Sequence, residues 1–292
     1  MSTTRTTIEQ LVREGSAGSI CAWQSLGQGV GGHSWCVLCG DTAWFVKTAP
    51  DGRDLFDAEA DGLKALAECK AIRVPRVLTV GEQEGEAFLV MEWLSLGQKT
   101  GAAAAKLGEQ LARQHQCLGQ HVGWWQNNFI GATPQFNTPS EDWVKFFRKH
   151  RLGFQLSLAA ENGYCGVLQR QGARLLEVLP AFFSGYTPQP SLLHGDLWGG
   201  NWGMVETGEP AIFDPAVYYG DREADIAMTE LFGGFGQEFY SAYNAIWPLD
   251  ASYRVRRDLY NLYHVLNHLN LFGGGYLQQA ERSIARLLTE LH

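Results

Sequence analysis

No stretch of this 292-residue chain approaches the ~18 consecutive apolar residues that a membrane-spanning helix requires. Its start, "MSTTRTTIEQLVREG", is polar, lacks the apolar centre of a secretory leader and reads as a helix from about Thr6. Positive charge is in deficit. With 23 Lys and Arg against 31 Asp and Glu, the formal net charge of −8 argues against a nucleic-acid partner. A small phosphorylated ligand stays compatible, because a few local groups suffice to meet its charge. The six cysteines form no framework. Cys36 and Cys39 make one CxxC without the second pair that a zinc site needs, and the alternation in "WCVLCG" sets them on opposite faces of a strand. Both are expected to be packing residues or idle thiols in a reduced, cytoplasmic protein. Internal repeats are also absent, which excludes a solenoid.

What is present is ordinary globular composition, 45% hydrophobic, in a chain long enough for one large or two modest domains. "ICAWQSLGQGVGGHSWCVLCGDTAWFVKTAP" reads as strand, glycine loop, strand, turn, strand. "DLFDAEADGLKALAEC" spaces Leu55, Ala58, Leu63 and Leu66 as an amphipathic helix, and "VPRVLTVGEQEGEAFLVMEWL" reads as two strands across a turn. Beyond Gly97 the pattern becomes helical: Leu107, Leu111 and Leu118 share a stripe, and Ser140, Glu141 and Asp142 open another helix. The fold class is therefore α+β in two lobes. Residues 1–94 are expected to form one lobe, an antiparallel sheet with one main helix, and residues 95–292 a second, mostly helical lobe.

Four features follow in chain order. Gly27, Gly29 and Gly32 make a GxGxxG whose N–H groups can close on an anion. A strand follows it rather than a helix, so a Rossmann reading fails. Lys47 ends a strand of Trp, Phe and Val, and Glu59 in the next helix is its natural partner, although an isolated Lys at a strand end is usually just solvated. In "LLHGDLWGGNWG", a loop by its glycines, Asp196 is placed to take a proton from a hydroxyl and Asn201 to offer a carbonyl oxygen to a hard cation, with His194 bracing the turn. Asp214, after "AIF", supplies a second hard ligand for Mg²⁺. Any one of these polar residues alone would pass as a turn cap.

In that order they reproduce the phosphoryl-transfer apparatus of the protein-kinase type. "HGD" stands where protein kinases carry "HRD", "DPA" where they carry "DFG", and no "APE" follows. A small-molecule kinase fits better than a regulated protein kinase. "LLHGDLWGGN", with "FVK", "FDAEADGL", "LVMEWL", "KLGEQLARQH", "EDWVKFFRKHRL", "IFDPAVYYGDREADIAM" and "LFGGF", resembles the fructosamine-3-kinases and their bacterial relatives over nearly the whole chain. The resemblance implies ATP-dependent phosphorylation of a sugar hydroxyl on a ketoamine, free or protein-bound, with ATP and Mg²⁺ as cofactors. It also implies a hinge at "MEWL" whose Glu92 and Leu94 backbones meet adenine, with the lobe boundary near Leu94–Gly97.

Other residues carry expectations of their own. Trp198 either stacks on the acceptor sugar or packs. Asp221 and Asp225 are candidates to brace the catalytic loop, Asp221 alternatively as a helix cap. Tyr260, Tyr263, His264 and His268 form a helix face that is pocket wall or core. Three other readings remain: an aminoglycoside or other small-alcohol kinase with the same catalytic residues, a metal-dependent hydrolase on His194, Asp196 and Asp214, and an inactive nucleotide-binding module.

Overall fold

The structure is a computed structural model that describes residues 3–14, 21–29 and 31–290. Ile20, at the head of the first expected strand, and Val30, inside the glycine stretch, lie outside the described residues. Helix α1 (Thr3–Glu14) buries Ile8 and Val12 against the sheet that follows. That sheet contains β1 (Cys21–Gly29), β2 (Gly32–Cys39), β3 (Thr42–Pro50), β4 (Val77–Gln83) and β5 (Glu86–Glu92), ordered β1-β2-β3-β5-β4 and antiparallel throughout. Between β3 and β4 runs α2 (Arg53–Glu68), whose buried face holds Phe56, Leu63 and Leu66, and also the charged Glu59. Strand β6 (Leu96–Gly97) pairs with a strand of the second half, so the chain has left the five-stranded sheet by Glu92.

The remainder is largely helical, as the apolar spacing predicts. Helix α3 (Gly101–His115) starts at Thr100, whose hydroxyl accepts from Ala103 N. It buries Leu107 and Leu111 completely. Leu118 is the exception: it lies beyond the helix and is exposed, because the chain turns at Gln116 before the stripe can continue. A short hairpin, β7 (Asn128–Ile130) and β8 (Thr133–Gln135), precedes α4 (Trp143–Phe146), which is capped by the Asp142 carboxylate. A π-helical turn over Phe147–Gly153 leads into α5 (Phe154–Glu161) and then α6 (Val167–Val178).

"LLHGDLWGGNWG" is not loop throughout: Leu192 and Leu193 belong to β9 (Ser191–Leu193), and Trp202 begins β10 (Trp202–Val205), leaving residues 194–201 irregular. The hairpin of β10 and β11 (Pro210–Ile212) delivers Asp214, and β12 (Tyr218–Gly220) returns to pair with β9. Helices α7 (Glu223–Leu231), α8 (Gln237–Ile246), α9 (Tyr253–Phe272) and α10 (Tyr276–Thr289) complete the half. Tyr260, Tyr263 and His264 are at most 5% exposed and are core, whereas His268 at the end of the same stripe is only partly buried and lies against Phe232. Among the described residues no helix is long and apolar enough to cross a membrane.

The cysteines depart from expectation. Cys39 is not an idle thiol, because the β1–β2 register sets it opposite Cys21, to which it is bonded. Cys69, just past α2, is bonded to Cys117, just past α3, leaving Cys36 and Cys165 free. Partners 18 and 48 residues apart are invisible to local spacing.

Candidate active site

Lys47, on β3, reaches into the space between the sheet and the helical half. Its Nζ donates to Glu59 Oε1 and Oε2 at 2.8 and 2.9 Å and to Asp214 Oδ1 at 2.6 Å. Burial alone would lower the ammonium's pKa, but the two carboxylates outweigh it and hold Lys47 firmly charged. Burial drives the Glu59 carboxyl up to about 7 against the pull of Lys47. Burial also pushes Asp214 upward, but Lys47 prevails and keeps it below the ordinary carboxylate range. Asp214 adopts φ +57°, a left-handed conformation that Asp tolerates better than most residues, and its side chain is 47% exposed. A charged, exposed oxygen donor at the end of a buried strand is the result.

The second part of the site hangs from β9. Gly195 has φ +83°, and a Cβ there would lie 2.0 Å from the Ala216 carbonyl oxygen, so the loop passes too close to the segment after Asp214 to tolerate any side chain. That contact is the physical reason for "HGD". Two backbone bonds tie the segments together, Ala216 N to His194 O at 2.8 Å and Phe213 N to Asn201 O at 3.1 Å. Asp225, 1% exposed at the start of α7, accepts from His194 N at 2.7 Å and Gly195 N at 2.9 Å, and lies 3.2 Å from His115 Nε2. It braces the loop. Asp221 does not: it accepts from Glu223 N, at the first residue of α7, and from the Tyr186 and Tyr260 hydroxyls. His194 lies 3.0 Å from the Phe213 carbonyl through Nε2 and accepts from Asp196 N through Nδ1, both contacts within the loop's own frame.

Asn201 Nδ2 donates to Asp196 O at 2.9 Å, Asp196 Oδ2 at 3.2 Å and Asp214 O at 3.4 Å, joining the two acidic segments. Burial, and then the nearby Asp214 charge, raise the Asp196 carboxyl to about 7. A group so poised takes up a proton near neutral pH.

Most of these residues meet in one cleft of about 360 Å³. Gly29, Gly32, Lys47, Glu59, Asp196, Trp198, Asn201 and Asp214 all line it, whereas Gly27 does not and Gly31 takes its place. Gly27 sits at an irregularity in the β1–β2 register, with open space around it. Trp198 is 40% exposed at the cleft and leans edge-on against Phe232, so it is not a packing residue. Glu92 and Leu94 line a second cavity of about 310 Å³ with Phe45, Met91 and Phe213, and Asp214 borders both cavities. The Glu92 side chain is held by Arg73, and its N–H donates to Arg76 O. Sequence reading missed the walls contributed by Asn128 and Phe129 of the β7–β8 hairpin. The cluster of amides at 127, 128, 135 and 137 was the available signal, since amides in an apolar surrounding imply a buried network.

The donor set suits a hard divalent cation: a low-pKa carboxylate at Asp214, an amide at Asn201, and room for phosphate oxygens between them.

A family model described as fructosamine kinase matches residues 3–290. The chain is 43% identical over 272 residues to a probable ketoamine kinase of Synechocystis sp., covering 91% of this chain and 90% of that one. It is 42% identical over 274 residues to a chloroplastic protein-ribulosamine 3-kinase of Oryza sativa subsp. japonica, covering 92% and 80%. A crystal structure assigned as a fructosamine-3-kinase, from Haemophilus somnus, superposes with a TM-score of 0.87 at 31% identity over 96% of each chain. An aminoglycoside phosphotransferase solved with AMP-PNP and hygromycin B shares the fold alone, with a TM-score of 0.65 at 15% identity over 97% of this chain and 98% of that one. With a family model spanning almost every residue, and a kinase-like sheet and helical half closing on one acidic cleft, the chain belongs to the fructosamine kinase family.

Proposed function

We propose that this protein transfers the γ-phosphoryl group of ATP to a sugar hydroxyl of a ketoamine, a sugar rearranged onto lysine or another amine, whether free or protein-bound. The observation that carries it is the placing of Asp196, an acid poised near 7, in the same cleft as the Lys47–Glu59–Asp214 cluster. In this reading residues 1–94 bind nucleotide and residues 95–292 supply the acceptor side. The adenine rests in the cavity at Glu92 and Leu94, and the phosphates reach the larger cleft past Asp214. Gly29, Gly32 and Lys47 receive the phosphates, with Lys47 aligned by Glu59. Asn201 and Asp214 would hold Mg²⁺, which supplies charge neutralisation to the transferring phosphoryl group.

Asp196 accepts the hydroxyl proton as that oxygen attacks phosphorus. One P–O bond forms, the bond to the bridging oxygen breaks, and ADP leaves with the displaced electron pair. Trp198 offers an apolar face to the sugar ring. The hydrolase alternative loses support because His194 is committed to Phe213 and Asp196 N, and no group of three His, Cys, Asp or Glu among the described residues is arranged to hold a metal. The aminoglycoside alternative rests on fold alone.

The test is ATP consumption measured side by side with ribulose-derived and fructose-derived lysine and an aminoglycoside, with mass spectrometry of the product. The ketoamines should gain one phosphate, and Asp196→Asn should lose roughly 10²–10⁴-fold in kcat while still binding ATP. Preference for the aminoglycoside, or a near-normal rate in Asp196→Asn, would overturn the reading.

A further inference from the structure

The larger cleft divides by chemistry. Gly29, Gly32, Lys47 and Asp214 form a phosphate-binding end, contiguous through Asp214 with the cavity at Glu92 and Leu94. What remains around Asp196 is Trp198, the Pro215–Ala216 backbone, and one side of the β7–β8 hairpin through Asn128, Phe129 and Gly131. Phe129 is the one large apolar side chain that this hairpin sends to the cleft, and it is half-buried there.

Two strands of three residues each are too short to hold their own shape in water. The hairpin is instead fixed by buried amides. Asn128 Nδ2 donates to Val217 O at 2.7 Å, and Gln135 Nε2 donates to Ala216 O at 3.1 Å and to Asn128 Oδ1 at 2.8 Å. Asn137 Nδ2 donates to the same Asn128 oxygen at 2.7 Å, and the Tyr263 hydroxyl donates to Gln135 Oε1 at 2.8 Å. Arg151, fully buried beneath Tyr218, donates to Asn137 Oδ1 at 2.7 Å, and Asn267 Nδ2 donates to Ile130 O at 3.3 Å. Arg151 Nε is buried without a partner, but the amide bonds that hold the hairpin itself are made, and bonds of this kind in a low-dielectric core rigidify what they hold. Both anchor points, Ala216 O and Val217 O, belong to the segment that leaves Asp214. The hairpin therefore keeps its position relative to the reacting groups rather than to the surface.

We propose that the β7–β8 hairpin is the acceptor-selecting wall of the site, with Phe129 meeting the carbon skeleton of the sugar and Asn128 and Gln135 acting as positioning residues. The assignment rests on the phosphotransfer reading above and adds to it the element that measures sugar size. A fructose-derived adduct carries one carbon more than a ribulose-derived one, so removing the phenyl ring opens room for the larger sugar and removes contact from the smaller.

The experiment measures kcat and KM for ATP and for both adducts of lysine in the wild type, Phe129→Ala, Phe129→Tyr and Gln135→Met. Phe129→Ala should raise the KM for the ribulose-derived adduct about tenfold or more, and shift the kcat/KM ratio toward the fructose-derived one by a similar factor, with the KM for ATP unchanged. Phe129→Tyr should keep the wild-type ratio. Gln135→Met should move the ratio in the same direction as Phe129→Ala, which a merely structural loss of active protein would not do. An unchanged ratio in Phe129→Ala, or a KM for ATP that rises in step with that for the acceptor, overturns the assignment while wild-type turnover leaves the phosphotransfer reading intact. Wild-type protein that phosphorylates neither adduct overturns both.

Discussion

Replacing Asp225 with Asn tests how the catalytic loop is held. The carboxylate is 1% exposed, accepts from two consecutive backbone N–H groups, and stays below its ordinary pKa because His115, His194 and those N–H groups outweigh its burial. Asn is nearly the same size but carries no charge, and in either orientation its NH₂ must face a backbone N–H, that of Gly195 or that of His194. One charge-assisted bond is lost, worth roughly 1.5–3 kcal/mol, and one buried donor is left unsatisfied at a further ~1–3 kcal/mol. Together they amount to about 2.5–6 kcal/mol, which brackets the ~3–5 kcal/mol for breaking a buried, paired charge. Urea unfolding followed by tryptophan fluorescence should show the midpoint fall by roughly 1 M or more for an m-value near 3 kcal/mol/M. Catalysis should suffer separately, because Gly195 N is one of the freed donors and Asp196 is the next residue; a displacement of ~1 Å at the reacting group costs about 10²-fold. The KM for ATP should change little, since Lys47, Glu59 and Asp214 make no hydrogen bond to Asp225. A wild-type urea midpoint with a wild-type kcat would refute the bracing role.

Lys47→Ala should lower kcat by roughly 10²–10³-fold and raise the KM for ATP, because the one cation between Glu59 and Asp214 is gone; unchanged steady-state kinetics would exclude its phosphate role. His264 gives a pH signature. Burial, and then His268, lower its pKa to about 3 from 6.5, so its contribution to stability is complete above pH 6.5 and is lost as pH falls toward 3. At pH 5 the wild type should have lost about 2 kcal/mol from this residue, and His264→Phe should flatten the dependence of the urea midpoint on pH between 6.5 and 5. Alkylation without reductant should label Cys36 and Cys165 alone, and reduction should lower Tm, the Cys69–Cys117 link across 48 residues being worth up to about 4 kcal/mol by loop entropy. Six labelled thiols and a Tm indifferent to reductant would show the cysteines unpaired.

Much of this protein is legible along the chain because the relevant physics is local. Alternation, helical spacing and turn glycines mark β1 to β5, α2 and α3, and a Lys at the end of an apolar strand announces that a buried charge needs a partner. The interval from Asp196 to Asn201, with Asp214 beyond a hairpin, is likewise short enough that the loop itself brings those side chains together. Other features depend on segments far apart in sequence. Gly195 is obligatory only because Ala216 O occupies the place of its Cβ, and Cys39 loses its thiol only because the β1–β2 register puts Cys21 opposite. Leu118 fits the stripe of α3 but is exposed, since the turn at Gln116 ends the helix first. The choice between Asp221 and Asp225 as brace turned on four residues of helix, which present one carboxylate to Gly195 N and leave the other to Glu223 N and two tyrosines. The cleft wall at Phe129 was out of reach of the sequence, because its position is set by amides bonding to Ala216 and Val217 more than eighty residues on in the chain. Residue type and spacing determined which chemistry this chain carries. Tertiary packing decided which groups face one another across the cleft, because hydrogen bonds and close contacts act over a few ångströms regardless of separation along the chain.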